Sequence, residues 1–299
     1  MTAAIEISGL RKAYGAHEAV RGIDLEVARG EIFAFLGPNG AGKTTTTEIL
    51  EGYRRRDGGA VSVLGTDPAN ADRAWRSRIG VVLQESEPDP YLTVGETLRL
   101  FAGYYPAPRP IAETLAHAGL QDEAGQRVRR LSGGQKRRLD VALALVGDPE
   151  LIFLDEPTSG FDPAARRNAW VLIGGLRDLG KTVFLTTHYM EEAQALADRV
   201  AIISGGRIVA EGPPGELGGR STAATEIRFL LPERTTAGEL PPTDGSCEVD
   251  GRSVRISSSA PLRDVNAITG WALERNLQLD GLTVERPSLE DVYMELTEE

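Results

Sequence analysis

Cysteine is almost missing from this sequence: Cys247 stands alone among 299 residues, so no internal disulfide can form. Histidine is nearly as scarce. His17, His117 and His188 lie far apart, without the spacing of zinc ligands, which argues against a structural metal. Both scarcities fit a reducing cytoplasm. Long apolar runs are also lacking. Stretches such as VALALV (141–146) and LIFL (151–154) fall far short of the roughly 20 residues that a membrane-spanning helix needs. The opening MTAAIEISGL has no basic segment leading into an apolar core, so no export signal is expected. Clustered positive charge is missing too. The net charge is −11, and residues 221–299 hold 15 acidic against 7 basic side chains, which argues against a tail that coats nucleic acid. The local basic run Arg54, Arg55 and Arg56 reads as solvated surface. No internal repeat or low-complexity tract stands out.

What is present is the composition of an ordinary globular chain, 41% hydrophobic and 26% charged, long enough for one large domain and one small. Apolar runs IFAFLG (32–37), IGVVLQ (79–84), LIFLDE (151–156) and TVFLTTH (182–188) read as buried strands alternating with helical patterns, the βαβ signature of a mainly parallel sheet. AIEIS (4–8) and IDLEV (23–27) alternate in polarity, as half-exposed strands of an antiparallel flank do. VAIIS and RIVAEG are joined by Gly205-Gly206, a hairpin signal. Between Gln84 and Leu131, TVGETLRLFAGYY and IAETLAHAGL carry apolar residues at steps of three and four, which predicts a helical insertion over about 85–145. GPPGELGGRS (212–221) marks a boundary, giving an expected domain at 1–215 and an accessory domain at 221–299. The latter offers strands TEIRFLL and SVRIS, a helix RDVNAITGWALERN, and a terminal PSLEDVYMELTEE in which Ser288 caps a helix burying Leu289, Val292 and Leu296. The fold class is therefore α/β with a small α+β appendage.

Two motifs carry chemistry on their own terms. GPNGAGKT (37–44) follows a strand and opens a helix. Its glycines let backbone N–H groups turn around phosphate oxygens, Lys43 reaches the outer phosphates, and the Thr44 hydroxyl can ligate Mg²⁺. This makes the core a RecA-like P-loop NTPase. LIFLDEP (151–157) delivers two acids at a strand end: Asp155 on the metal side, and Glu156 free to orient or deprotonate water.

A third stretch, LSGGQ (131–135), is a second glycine-rich helix start. Followed about twenty residues later by LIFLDEP and SGFD, it identifies the resemblance: the chain resembles the nucleotide-binding subunits of ABC transporters. The resemblance covers about 210 residues, with the elements in the family's order. It implies an ATPase that uses ATP and Mg²⁺, with Tyr14 as the adenine platform and Gly37, Pro38, Asn39, Gly40, Ala41, Gly42, Lys43, Thr44 and Thr45 around the phosphates. Gln84 would touch Mg²⁺ or water, and His188 would contact the γ-phosphate. Ser132, Gly133, Gly134 and Gln135 would cap the ATP of a second copy in a head-to-tail homodimer. For Tyr14 an exposed strand tyrosine, and for Gln84 a plain strand end, are the alternatives. SGFD departs from the commoner SGLD at Phe161, a change expected to matter little.

A single ATPase domain with a tail ending RPSLEDVYMELTEE resembles the ATPase subunits of ABC-2 type exporters, the group with daunorubicin and other multidrug resistance systems. That implies a separate polytopic permease as partner, seated with this chain at the cytoplasmic face of the membrane, and no nucleic acid. ESEPDPYLTVGE is the expected permease contact, with Tyr91 or Leu92 as anchor. Importer ATPases tend to carry barrel-like tails too large for 221–299. ABC-type ATPases of DNA repair or translation carry a coiled coil or tandem domains, which are absent here.

Overall fold

The computed structural model of the protein describes residues 3–82, 88–217, 224–233, 235–285 and 289–297. It divides into two units, Met1–Pro214 and Gly215–Glu299.

The first unit is built on two sheets. An antiparallel sheet of order β2-β1-β4 joins β1 (Ala3–Tyr14), β2 (His17–Ala28) and β4 (Gly58–Val63). Ile5, Ile7 and Leu10 of β1 face inward with Val20, Ile23 and Leu25 of β2, the alternation that a half-exposed sheet requires. The central sheet has the order β5-β6-β7-β3-β8-β9, with β3 (Ile32–Leu36), β5 (Ile79–Val82), β6 (Leu151–Asp155), β7 (Thr182–Thr187), β8 (Arg199–Ser204) and β9 (Arg207–Gly212). Five strands are parallel and β9 returns antiparallel through Gly205 (φ 54) and Gly206 (φ 80). Every side chain of β3 and β7 is buried, which is why β3 is apolar throughout and β7 joins Val183, Phe184 and Leu185 only to small threonines rather than alternating with charge. Phe184 sits at the centre, 5.8 Å from Phe33, 5.6 Å from Phe35 and 5.8 Å from Phe153, so three strands share one aromatic cluster beneath the site.

Helix α1 (Lys43–Leu50) follows β3, and the short α2 (Arg73–Arg76) precedes β5. A helical layer follows: α3 (Val94–Ala102), begun by a Thr93/Glu96 capping box, α4 (Ile111–Ala118) and α5 (Gly133–Leu145). Leu98, Leu115, Leu120, Val128, Leu139 and Val146 form its core. Helix α6 (Pro163–Asp178) packs beside it, and α7 (Met190–Leu196) joins β7 to β8. Asp162 caps α6, accepting from the N–H groups of Ala164 and Ala165 at 2.9 Å each, with Pro163 in the first turn. Asp162→Ala is therefore expected to lower unfolding stability by about 0.5–2 kcal/mol in a urea titration.

The second unit is a four-stranded antiparallel sheet, β11-β12-β10-β13, covered by α8 (Pro261–Glu274). Its strands are β10 (Thr225–Leu230), β11 (Ser246–Asp250), β12 (Ser253–Ser258) and β13 (Asp280–Glu285). The sequence pattern predicted only β10 and β12. The two edge strands are exposed along most of their length, and SCEVD, with only Cys247 and Val249 apolar, is too short and too polar to stand out. In α9 (Leu289–Thr297), Leu289 and Tyr293 are buried. Ser288, and the side chains of Val292 and Leu296, lie outside the described residues.

Candidate active site

The phosphate loop, 37–42, leaves β3 and enters α1. Its shape depends on glycine at two places. A Cβ on Gly37 would come within 2.4 Å of the Ile203 carbonyl oxygen, and one on Gly42, at φ 110, within 2.5 Å of the Ala19 carbonyl oxygen. Pro38, Asn39 and Gly40 are exposed, whereas Ala41 is buried. Lys43 is buried, and its ammonium donates to the Gly37 carbonyl at 2.6 Å and to the Pro38 carbonyl at 3.2 Å. Burial lowers its pKa, and the charges of Glu156 and Asp155 push it back up, so all three groups share one locality. Thr44 is exposed, and Thr46 and Thr47 return their hydroxyls to the carbonyls of Gly42 and Lys43, leaving Thr44 as the outward hydroxyl of this turn.

Asp155 ends β6, and its Oδ1 accepts from the Thr186 hydroxyl of β7 at 2.5 Å. Glu156, one residue on, has φ 44, in the left-handed region that costs a glutamate energy. Its N–H donates to the Thr186 carbonyl at 3.1 Å, which holds this turn against β7. The turn aims Oε1 at His188 Nδ1, 3.1 Å away. Such a contact places the proton of a neutral imidazole on Nδ1.

Arg137 of α5 was not singled out by its sequence context. Its Nε donates to the Pro157 carbonyl at 3.0 Å and another nitrogen to the Asp155 carbonyl at 3.2 Å, so the helix that starts at LSGGQ grips the acid-bearing turn. The residue stands in a KRR run whose neighbours are surface residues, and nothing local marks it.

At the start of α5, Ser132 and Gln135 form a reciprocal cap. The Ser132 N–H donates to Gln135 Oε1 at 2.9 Å, and the Gln135 N–H to Ser132 Oγ at 3.3 Å. A Cβ on Gly133 or Gly134 would meet nothing within 4 Å, so the backbone is open to an approaching group. These residues border a groove of about 930 Å³ with Gly160, Phe161, Asp162 and α6, and no phosphate-loop residue lines it.

Tyr14 is 41% exposed, with its hydroxyl 3.4 Å from Thr45 Oγ1. Two cations flank its ring, Lys12 Nζ at 5.6 Å and the Arg54 guanidinium at 5.3 Å from the centroid. This corrects the reading of the basic run as merely solvated: Arg54 also pairs with Glu48 at 2.5 Å, and Arg56 forks onto both Asp67 oxygens at 2.7 Å. Arg55 alone is exposed. Gln84 lies outside the described residues.

The donors around Lys43 are oxygens: the Thr44 hydroxyl and the Asp155 carboxylate. That hard set suits Mg²⁺, which takes one or two protein oxygens and completes its shell with phosphates and water. Among the described residues no cluster of three or more His, Cys, Asp or Glu gathers for a metal.

The chain is similar to known proteins along most of its length. Residues 20–159 match the ABC transporter family, and residues 225–288 the C-terminal domain of ABC transporter domain-containing proteins. The Nod factor export ATP-binding protein I of Cupriavidus pinatubonensis is 39% identical over 99% of this chain and 91% of its own length. The daunorubicin resistance ATP-binding protein DrrA3 of Streptomyces coeruleorubidus is 38% identical over 98% and 96%. Among solved structures, a dimeric post-hydrolysis state of the ATP-binding cassette MJ0796 bound to ADP and Pi superposes with TM-score 0.62. It shares 26% identity and covers 70% of this chain and 98% of that one.

Proposed function

The chain belongs to the ATP-binding subunits of ABC transporters, among those of ABC-2 type exporters, and from that premise we propose how its own residues hydrolyse ATP and transmit the result. It is an ATPase whose hydrolysis serves export through a separate membrane subunit. The observation that carries the residue assignment is the Glu156–His188 contact of 3.1 Å in the same locality as Lys43.

In this reading the backbone N–H groups of 37–45 cradle the phosphates, and Lys43 exchanges its two loop carbonyls for phosphate oxygens. Thr44, Asp155 and Gln84 would hold Mg²⁺, which would neutralise phosphate charge when bound. The Glu156 carboxylate takes the proton of the attacking water, and His188, oriented through Nδ1, turns its other ring nitrogen to the γ-phosphate, to which it donates when the ring is doubly protonated. Tyr14 stacks on adenine. The open backbone at Gly133 and Gly134, with Ser132 and Gln135, closes over the ATP of a second copy, which makes the working unit a head-to-tail homodimer.

The permease is of the ABC-2 type, and the chain binds it peripherally on the cytoplasmic side. No helix of the described residues is long and apolar enough to cross a membrane. The cargo is a drug-like, antibiotic, lipid or polysaccharide molecule. Tyr91 supports a docking role: it is 67% exposed beside half-buried Leu92, with Arg129 over its ring at 5.5 Å. Glu85, Ser86 and Glu87 of the expected contact loop lie outside the described residues. The test is capture of the tagged chain from gently solubilised membranes. A polytopic partner is expected, and Tyr91→Ala with Leu92→Ala should lower its recovery about tenfold or more. Undiminished recovery would remove the contact, and co-purification with ribosomes or nucleic acid alone would overturn the transport assignment.

A further inference from the structure

Behind the reacting groups lies a carboxylate that the proposed chemistry does not use. Glu192 of α7 is fully buried, at 0% exposure. Its Oε1 accepts from the Thr158 hydroxyl at 2.8 Å and from Trp170 Nε1 at 3.2 Å, and the Glu192 N–H donates to the Tyr189 carbonyl at 3.2 Å. Among the described residues its Oε2 has no hydrogen-bond partner, and neither has the buried Nε of Arg166.

The positions of these partners matter more than their number. Thr158 follows Glu156 by two residues in the turn after β6, and Tyr189 is the residue after His188. Trp170 belongs to α6, the helix that Asp162 caps. One oxygen atom therefore ties together the turn bearing Glu156 and the helix beyond it, while the backbone of the same residue bonds the loop that carries His188. A second brace comes from the same helix: the Arg166 guanidinium lies 4.2 Å from the Tyr189 ring centroid, and that ring lies 4.1 Å from the His188 ring.

We infer that Glu192 is a positioning residue for hydrolysis: it fixes the turn after β6 against the loop after β7, and so sets the separation of Glu156 and His188. The inference rests on the assignment of those two residues as the reacting pair. It also makes a specific demand on chemistry. Oε1 receives both the threonine and the tryptophan donor, so a glutamine can keep both through its amide oxygen while its NH₂ occupies the place of Oε2. The negative charge is not what the network uses, in keeping with burial, which raises the Glu192 pKa toward the neutral form.

The test is steady-state phosphate release by the full-length chain with Mg-ATP, comparing Glu192→Ala, Glu192→Gln, Thr158→Val and Trp170→Phe. Loss of the brace should lower kcat about tenfold to a hundredfold in Glu192→Ala, the scale of a misplacement near 1 Å. KM for ATP should stay within about twofold, because the phosphate loop is untouched. Glu192→Gln should recover most of kcat, and Thr158→Val combined with Trp170→Phe should reproduce most of the loss. That pair also serves if Glu192→Ala does not fold. A kcat of Glu192→Ala or of the double variant close to that of the unaltered chain overturns the inference. So does a Glu192→Gln as impaired as Glu192→Ala, or a KM that rises in step with the fall in kcat. Glu156→Gln in the same assay separates the two levels: if it keeps full turnover, the reacting-pair assignment itself is wrong, whereas its loss beside an active Glu192→Ala removes only the bracing role.

Discussion

Replacing Glu156 with glutamine is expected to lower ATP turnover about 10²- to 10⁴-fold while leaving nucleotide affinity nearly unchanged. With Nδ1 of His188 donating to Glu156 Oε1 and the other ring nitrogen turned to the γ-phosphate, the carboxylate is the member of the pair left to take a proton from water. The amide keeps the shape, and its oxygen still accepts from His188, but it has no basic lone pair to offer. Affinity depends instead on the loop at 37–45 and on Lys43, which the substitution does not touch. The same variant isolates the dimer. With hydrolysis arrested and ATP saturating, light scattering should register twice the mass of the nucleotide-free chain, because ATP held between two copies then has no route to phosphate release. Equal phosphate release by the variant and the unaltered chain would remove Glu156 from its assigned role. A monomer under these conditions, with and without the membrane partner, would remove the homodimer.

The second large effect is on stability rather than rate. Glu51 closes α1, is only 7% exposed, and has its pKa raised from the ordinary 4.5 to about 8, chiefly by burial and then by the charges of Asp155 and Glu48. The folded chain thus holds this proton more tightly than the unfolded chain does. Below the unfolded value both states are protonated and the group costs nothing. Between the two values the unfolded state ionises first, so stability falls as pH rises, and above about 8 the full penalty is present. A shift of this size corresponds to a penalty on the order of 3 to 5 kcal/mol. Glu51→Gln, which cannot ionise, should be more stable than the unaltered chain at pH near 9 and about equal to it near pH 5, as read from urea midpoints at both values. A variant that differs from the unaltered chain by the same amount at both pH values would show that Glu51 does not carry the dependence.

The groups assigned to phosphate or water each belong to a contiguous motif that can be read from the sequence: a loop that needs glycine, a strand that ends in acids, a helix that begins with a cap. The groups that hold them in place do not. Arg137, Thr186 and Glu192 act across 18 to 34 residues of chain, through contacts that exist only once β6, β7 and the helices are assembled. Local composition even misleads. Arg137 sits in a basic run, and Glu192 follows Glu191 in what reads as a charged helix start. Glu51 and Arg54 were hidden in the same way, inside EGYRRR, where periodicity carries no sign of which carboxylate is buried and which guanidinium covers Tyr14. In the fold, the buried strands announced themselves by apolar runs, whereas the exposed edges β11 and β13 had no such pattern.

The crowding around the phosphate loop bears on how such a chain can be recombined. The Ala19 carbonyl of β2 stands where a Cβ on Gly42 or on Gly206 would go, at 2.5 Å and 2.9 Å, and the Ile203 carbonyl of β8 stands over Gly37 at 2.4 Å. Two backbone hydrogen bonds, from Arg21 N–H to the Gly206 carbonyl at 2.8 Å and from Gly206 N–H to the Ala41 carbonyl at 3.2 Å, tie the three segments together. Gly206 is thus a spacer for the nucleotide loop as much as a hairpin residue. The antiparallel flank, the phosphate loop and the hairpin after β8 span more than 180 residues of sequence yet form one unit of inheritance. A chimera that draws them from different relatives must keep main chain against main chain at all three points, and grafting the glycine-rich motif alone would carry its residues without its shape.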